Sequence, residues 1–473
     1  MALDREISDG SARPPRRIIS AAMMLSIYLV LLFGVPSSLT IAGLASVGRP
    51  SFLWGLVLAF WWLLAQLQRY RPTRIRVWQP VRFALLAFVI IVLVSFGAAL
   101  LRGQPADQIS PATTAVLRVV SWLGVLLVTM DGIATRGEMI KVVRGLTIGA
   151  GLVALLGLAQ FITGRTLLDW VVGLPGIDYD TELTARGEFT RVAGTATHPL
   201  EYAVIVTGCL PLALLAAMTD GFRRQEDRLI RLSWWLPVTF MIVSSLLSVS
   251  RSAIIGLVIA ILATLPAMSR AYRRLTIIGG AFAAVVVAIV VPGMATTMIT
   301  LFLGGPEEPS AQSRSNALER LPEFLSSSPL IGQGLGTFMP RYYIFDNEWA
   351  LLTVELGILG VTAFAAIAVA AIASAACSAR RSRDPEIITI GRGVAAAMLT
   401  TAVLFAFFDA MGFPISAGMY FFFAGLAAAL GRLSQTEDLS GFPMIKEPMR
   451  DQVRKSLPGG RAAAGPMTTE ERS

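Results

Sequence analysis

Residues 313–360 read SRSNALERLPEFLSSSPLIGQGLGTFMPRYYIFDNEWALLTVELGILG, and the change of character inside them decides the fold. Up to Asn347 the segment is polar and rich in turn residues. From Glu348 it becomes an apolar helical pattern that carries no charge between Glu355 and Arg380. An apolar run of about 17 to 25 residues is long enough to span a bilayer, so a polar loop here hands over to a membrane helix. The loop brings Arg314, Arg320, a glycine-rich turn and acidic residues to the mouth of that helix, which a purely connecting loop has little reason to do.

The rest of the chain repeats the apolar half of this pattern. With 55% hydrophobic and only 15% charged residues over 473 positions, there is more apolar surface than one soluble core could bury. Spans are predicted at residues 18–34, 51–67, 81–101, 115–130, 142–163, 199–218, 233–250, 252–268, 275–293, 347–377, 389–409 and 414–431, giving an all-α polytopic membrane protein of about twelve transmembrane helices. The first run lacks a small-residue cleavage site and is followed by further spans, so it reads as a retained helix. Cys209 and Cys377 both lie in apolar runs and His198 is the single histidine, which suggests neither a disulfide framework nor a metal centre. No cofactor is indicated.

Orientation follows from the positive-inside rule. Arg13, Arg16 and Arg17, the group Arg69, Arg71, Arg74 and Arg76, then Arg223, Arg224, Arg228 and Arg231, and finally Arg380, Arg381 and Arg383 alternate with basic-poor loops. Both termini are therefore expected in the cytoplasm. The chain divides into a cytoplasmic segment 1–17, a membrane domain 18–431 and a disordered cytoplasmic tail 432–473, whose Gly, Pro and charge suit no packed core. The net charge of +9 becomes a basic inner rim facing anionic membrane lipid, without need of nucleic acid. The preference for Arg over Lys and the high Ala and Gly content suit a bacterium.

Against that topology, Arg165, Arg186, Arg191, Arg251, Arg314, Arg320 and Arg341 fall on the outer side, mostly in two long loops, 164–198 and 294–346. Long loops in a compact domain are usually functional, and the arginine fork matches phosphate oxygens. Taken singly, each arginine is equally a partner for a nearby carboxylate or a lipid headgroup. Arg251 stands apart, because in SVSRSAIIG one apolar run passes to the next without a recognisable loop. A guanidinium at that depth needs the bundle interior or a wet cavity, and Ser248, Ser250 and Ser252 favour a polar pocket over snorkelling.

The order of these features resembles the O-antigen ligase and O-antigen polymerase superfamily. A Ser-Arg-Ser hairpin is followed by a long loop with Arg-x-x-x-Leu (Arg314 to Leu318), by a Pro-x-x-Gly-x-Gly-x-Gly turn (Pro329, Gly332, Gly334, Gly336), and by Asn347 before Glu-Leu-Gly-x-x-Gly (Glu355, Gly357, Gly360). The motif-bearing part covers about residues 190–375. The resemblance implies a metal-independent GT-C type glycosyltransferase at the external face of the cytoplasmic membrane. It would pass a glycan from a polyprenyl diphosphate carrier to a lipid or saccharide acceptor, with Arg251 and Arg314 holding the diphosphate. In the ligase subgroup a histidine usually precedes the asparagine, and here that position is Asp346.

Inverting transfer needs a base near the acceptor hydroxyl and stabilisation of charge on the leaving diphosphate. A carboxylate can be that base, so Asp346 is a candidate, with an N-cap of the following helix as its structural alternative. Arg191, His198, Glu201, Arg320, Asn347 and Glu348 are candidates for substrate contact. His198 equally reads as an ordinary interfacial histidine, and Glu201 lies one turn beyond it. Gly334 and Gly336 could bring backbone close to a phosphate or simply make a tight turn. Glu355 is expected to face the interior, paired with a basic residue or protonated. Tyr342, Tyr343 and Trp349 suit either sugar stacking or an aromatic belt. The competing class is a transporter or flippase of anionic or lipid-linked saccharides, against which stands the confinement of the polar candidates to one side.

Overall fold

The computed structural model describes residues 20–68, 78–179, 185–186, 189–222, 228–248, 250–291 and 309–440, with only the backbone of Arg186 and Arg314. The segment 1–17, the arginines at 69–76, Arg223, Arg224, residues 294–308 and the tail beyond 440 lie outside the described residues.

The chain is an all-α polytopic membrane protein. Its helices are α1 (Ala21–Gly34), α2 (Pro50–Leu67), α3 (Pro80–Leu101), α4 (Ala106–Gly132), α5 (Arg136–Thr163), α6 (Pro199–Met218) and α7 (Arg228–Ser233). They continue with α8 (Trp235–Leu247), α9 (Arg251–Thr264), α10 (Arg270–Val290), α11 (Pro309–Leu325), α12 (Glu348–Arg381), α13 (Pro385–Leu404) and α14 (Pro414–Ser440). Among the described residues nine helices are long and apolar enough to cross a membrane, and Ala21–Gly34, Arg231–Leu247 and Arg251–Ala267 are shorter apolar helices. Each predicted span coincides with one of these twelve. Two short antiparallel pairs complete the fold: Thr40–Ile41 with Ile177–Asp178, and Ala185–Arg186 with Phe189–Thr190.

Local chemistry sets the helix starts. Proline occupies the first turn of α2, α3, α6 and α13, where its missing N–H is not needed. Thr135 and Glu138 form a capping box that starts α5 at Arg136, six residues before the predicted span. α4 likewise starts at Ala106 and runs through Pro111. Membrane-scale hydropathy sees only the apolar part of each helix, so these polar first turns were not expected.

α6 and α14 form the centre, with 94% and 89% of their apolar windows buried, whereas α10 is peripheral with 11%. Around α14 the rings of Phe364 and Tyr420 stack at 4.5 Å, and the Tyr420 hydroxyl donates to the Phe364 carbonyl at 2.8 Å. Arg82 pairs with Asp131 at 2.5 Å, and Trp62 Nε1 donates to the same carboxylate at 2.9 Å. Arg432 donates to the carbonyls of Asp131 and Ile133. α14 continues past this anchor to Ser440, so residues 432–440, the first part of the predicted tail, are helical.

Two further differences bear on function. The loop predicted at 294–346 contains helix α11. The span predicted as continuous over 347–377 is broken at Gly357, where φ is 70° and ψ is −175°.

Candidate functional site

The two glycine motifs of the sequence form one structural unit. At the break in α12 the Ile358 and Leu359 N–H groups donate to the carbonyls of Pro329 (3.0 Å) and Leu330 (3.2 Å). In return Gln333 and Gly334 N–H donate to the carbonyls of Val354 (3.0 Å) and Glu355 (2.8 Å). Ser95 Oγ adds a hydrogen bond to the Glu355 carbonyl at 3.2 Å. Backbone groups released by the break are thus satisfied by the turn, as an apolar surrounding demands. Gly332 (φ 68°) and Gly357 lie face to face across this contact, and a Cβ on either would overlap backbone of the other segment.

The same turn holds Glu355. Gly336 N–H donates to Glu355 Oε1 at 2.9 Å and the Phe338 backbone donates as well. The backbone donors of Gly334 and Gly336, considered above for a phosphate, are both directed to Glu355. The partner of Glu355 is this backbone rather than a basic residue of another span.

The start of α12 also differs from the simplest reading. Its cap is Asn347, whose Oδ1 accepts from Trp349 N–H (3.0 Å) and Ala350 N–H (3.3 Å). Asp346 precedes the cap with φ 48°, a left-handed conformation that Asp tolerates better than most residues; the capping alternative for Asp346 is therefore overturned. Asn347 N–H donates to Asp409 Oδ1 at 3.2 Å, Glu348 N–H to the Phe408 carbonyl at 3.1 Å, and Met411 N–H to Glu348 Oε2 at 2.8 Å. The link between α13 and α14 is thereby fastened to the start of α12. Asp409 lies in that link, and burial together with the neighbouring Asp346 carboxylate pushes its pKa up to about 6, against the Asn347 N–H.

Glu348, Glu355, Asp409 and Arg118 all line one cavity of ≈350 Å³. Phe338, Tyr343 and Trp122 supply aromatic walls. Arg320 stacks over the Tyr343 ring at 5.5 Å and so reaches the rim. Arg341 lies further out, paired with Asp107 and stacked on Tyr342. Tyr342 also accepts from Gln108, and Trp349 Nε1 donates to the Ala402 carbonyl, so both are engaged with protein. No group of three His, Cys, Asp or Glu among the described residues is placed to hold a metal ion.

His198 and Glu201 sit nearby but in structural positions. His198 caps α6, its Nδ1 accepting from Leu200 N–H at 3.2 Å, and its ring lies 5.7 Å from that of Phe413. Burial, and secondarily the charge of Arg191, pushes its imidazole down to about 4, so it is neutral at physiological pH. Glu201 is 0% exposed and lines none of the cavities described. It accepts from Ser37 Oγ (2.8 Å), Thr197 N–H (3.0 Å) and Ile415 N–H (2.8 Å), stitching α6 to α14. These bonds hold Glu201 within the protein.

Arg251 is the first residue of α9, with Ser250 and Ser252 bonded to each other beside it at 2.9 Å. Gly256 of the same helix packs against Thr207 of α6 and Leu404, the last residue of α13, so α9 starts beside the end of α13. Arg314 is in α11; its side chain lies outside the described residues. Arg49, Arg118 and Asp409 were not singled out by the sequence. Arg118 is the one charge of α4 between Asp107 and Asp131, inside its apolar stretch, itself a signal of function. Asp409 sits where two apolar runs meet, as Arg251 does.

An O-antigen ligase family model matches residues 236–365. The match includes Arg251, Arg314, the glycine turn, Asp346 and the break in α12, and it excludes Arg118, His198 and Asp409. No curated protein matches the chain.

Proposed function

We propose, from the premise that this chain belongs to the O-antigen ligase superfamily and serves polysaccharide assembly in a bacterial membrane, that it moves a glycan from a polyprenyl diphosphate carrier to a saccharide or lipid acceptor on the external face of the cytoplasmic membrane. The observation that carries this reading is the cavity at the start of α12, where carboxylates of Glu348, Glu355 and Asp409 share the lining with an arginine. Transfer forms a bond between the acceptor oxygen and the anomeric carbon, breaks the bond from that carbon to the diphosphate, and moves the acceptor proton to a base. Asp346 and Asp409 act together as that base, with Asp409 the member that lines the cavity. Asp409 is raised toward the operating pH, which suits proton acceptance. Arg251 and Arg314 stabilise the leaving diphosphate electrostatically, without a metal.

Purified protein with a polyprenyl diphosphate glycan and its acceptor tests this. Arg251→Ala and Arg314→Ala should each lower transfer by about 100- to 1,000-fold, the scale of losing one electrostatic contact to developing charge. Lysine should rescue poorly, because a point charge lacks the two-pronged geometry. Activity should survive EDTA. Near-normal transfer by either alanine variant removes that arginine from the mechanism, and no transfer by the unaltered protein sinks the reading.

A further inference from the structure

Two arginines outside the matched region stand behind the cavity. Arg49 is the residue before Pro50 at the start of α2, and Arg118 lies within α4. Both line a narrow second cavity of ≈10 Å³, and Arg118, Trp122, Met411 and Gly412 line this cavity and the large one alike. Arg118 therefore lies on both cavities, and Arg49 on the narrow one that adjoins the large one.

Neither has a carboxylate of its own. Arg82, Arg136 and Arg341, by contrast, each pair with a carboxylate. The acid that acts on Arg49 is Glu201, whose oxygens already accept three hydrogen bonds. The buried Arg49 Nε has no hydrogen-bond partner. On the large cavity, Glu348, Glu355 and Asp409 share the lining with Arg118 without reaching the 4.0 Å of an ion pair to it. Two guanidiniums held side by side with little water repel each other, and an anion between them offsets both the repulsion and the lost solvation. The guanidinium fork is matched to phosphate oxygens. At ≈350 Å³ the cavity is at the small end of the roughly 300–1,000 Å³ typical of ligand sites, with room for a sugar ring and its phosphate.

We propose that Arg118, backed by Arg49, forms a phosphate-binding site at the rear of this cavity, taking a phosphate or diphosphate group of a substrate. The idea rests on reading the cavity as the place of glycan transfer. Two sources share the chemistry: the diphosphate of the donor and a phosphate carried by the acceptor sugar. The bland alternative is that the arginines only balance the carboxylates of the lining.

Inorganic pyrophosphate, titrated into the purified full chain and followed by calorimetry, separates them. Arg118→Gln should weaken pyrophosphate binding by about 10- to 100-fold, the scale of losing a charge-assisted hydrogen bond, and Arg49→Gln by a smaller factor. Unchanged binding in Arg118→Gln, or no binding by the unaltered protein, overturns the proposal. If Arg118→Gln is not recovered folded, Arg118→Lys decides: weakened binding supports the site and unchanged binding sinks it. In turnover, a raised KM for the donor assigns the group to its diphosphate, a raised KM for a phosphorylated acceptor assigns it there, and no shift in either counts against the site. Pyrophosphate binding is read without turnover, so a chain that binds it at Arg118 yet transfers nothing would sink the functional reading and leave the site standing.

Discussion

Asp409 shows how position turns an ordinary carboxylate into a candidate base. Its buried site beside Asp346 favours the proton, while the Asn347 N–H favours the charge, and the balance is a pKa of about 6. A base must be deprotonated to accept a proton, so transfer should rise with pH through about 6 and level off above it. Asp409→Asn should remove that limb and lower transfer by about 100-fold or more. The sign for stability is the reverse. A carboxylate whose pKa is raised in the fold stabilises it at low pH and loses that contribution as pH rises from about 3.8 through about 6. Asn can still accept from Asn347, so Asp409→Asn should leave thermal unfolding at pH 7 unchanged or slightly raised. A variant that is fully active, or one that merely unfolds, would end the role of Asp409. Asp346→Asn tests the other member of the pair, and Asp346→His, which restores the residue usual in ligases, should keep partial activity with its pH limb near the imidazole value of about 6.5.

At the scale of elements, the site depends on a helix that stops and restarts. Gly357 holds a left-handed φ with extended ψ, a region essentially closed to other residues, and Leu330 backbone fills the space a Cβ would need. Gly357→Ala should therefore lower the thermal stability of purified protein, by at least the roughly 1–3 kcal/mol such strain costs, and displace the turn that holds Glu355. Gly279 in α10 has nothing within 4 Å of its Cβ position. Gly279→Ala, as the control, should be neutral or mildly stabilising. Equal behaviour of the two variants would show that the break is not required. The spans were legible because twenty apolar residues leave a helix little alternative in lipid. The break was not, because Gly357 sits in an unbroken apolar run and its conformation is set by a turn some twenty-five residues earlier. The same long-range dependence hid the cap: Asp-Asn-Glu offers two capping residues, and the bond from Asn347 to Asp409 determines which is used. Arg118 escaped notice for a plainer reason, since one charge barely alters the hydropathy of α4.

For the whole molecule, the candidate groups gather at one end of the bundle. The N-terminal ends of α2, α6, α9, α12 and α14 and the C-terminal end of α13 supply Arg49, His198, Arg251, Glu348, Ile415 and Leu404, joined by the bonds that Ile415 N–H donates to Glu201 and Met411 N–H to Glu348. The opposite end carries Arg82 with Asp131 and Arg136 with Asp384 and Glu386. Among the described residues Arg270, Arg273, Arg274, Arg380, Arg381 and Arg383 also lie at the helix ends on that side, so the positive-inside rule predicts that it faces the cytoplasm. The function proposed above, transfer at the external face, requires that the cavity end of the bundle face outward. In a chain first stripped of Cys209 and Cys377, a membrane-impermeant thiol reagent applied to intact cells should label Ser326→Cys, exposed at the end of α11, and not Ala134→Cys, exposed before α5. Permeabilised cells should label both, which controls for burial. Labelling of Ala134→Cys alone in intact cells would turn the bundle over, place the cavity in the cytoplasm, and leave its arginines and carboxylates facing a compartment where a different donor would have to be sought.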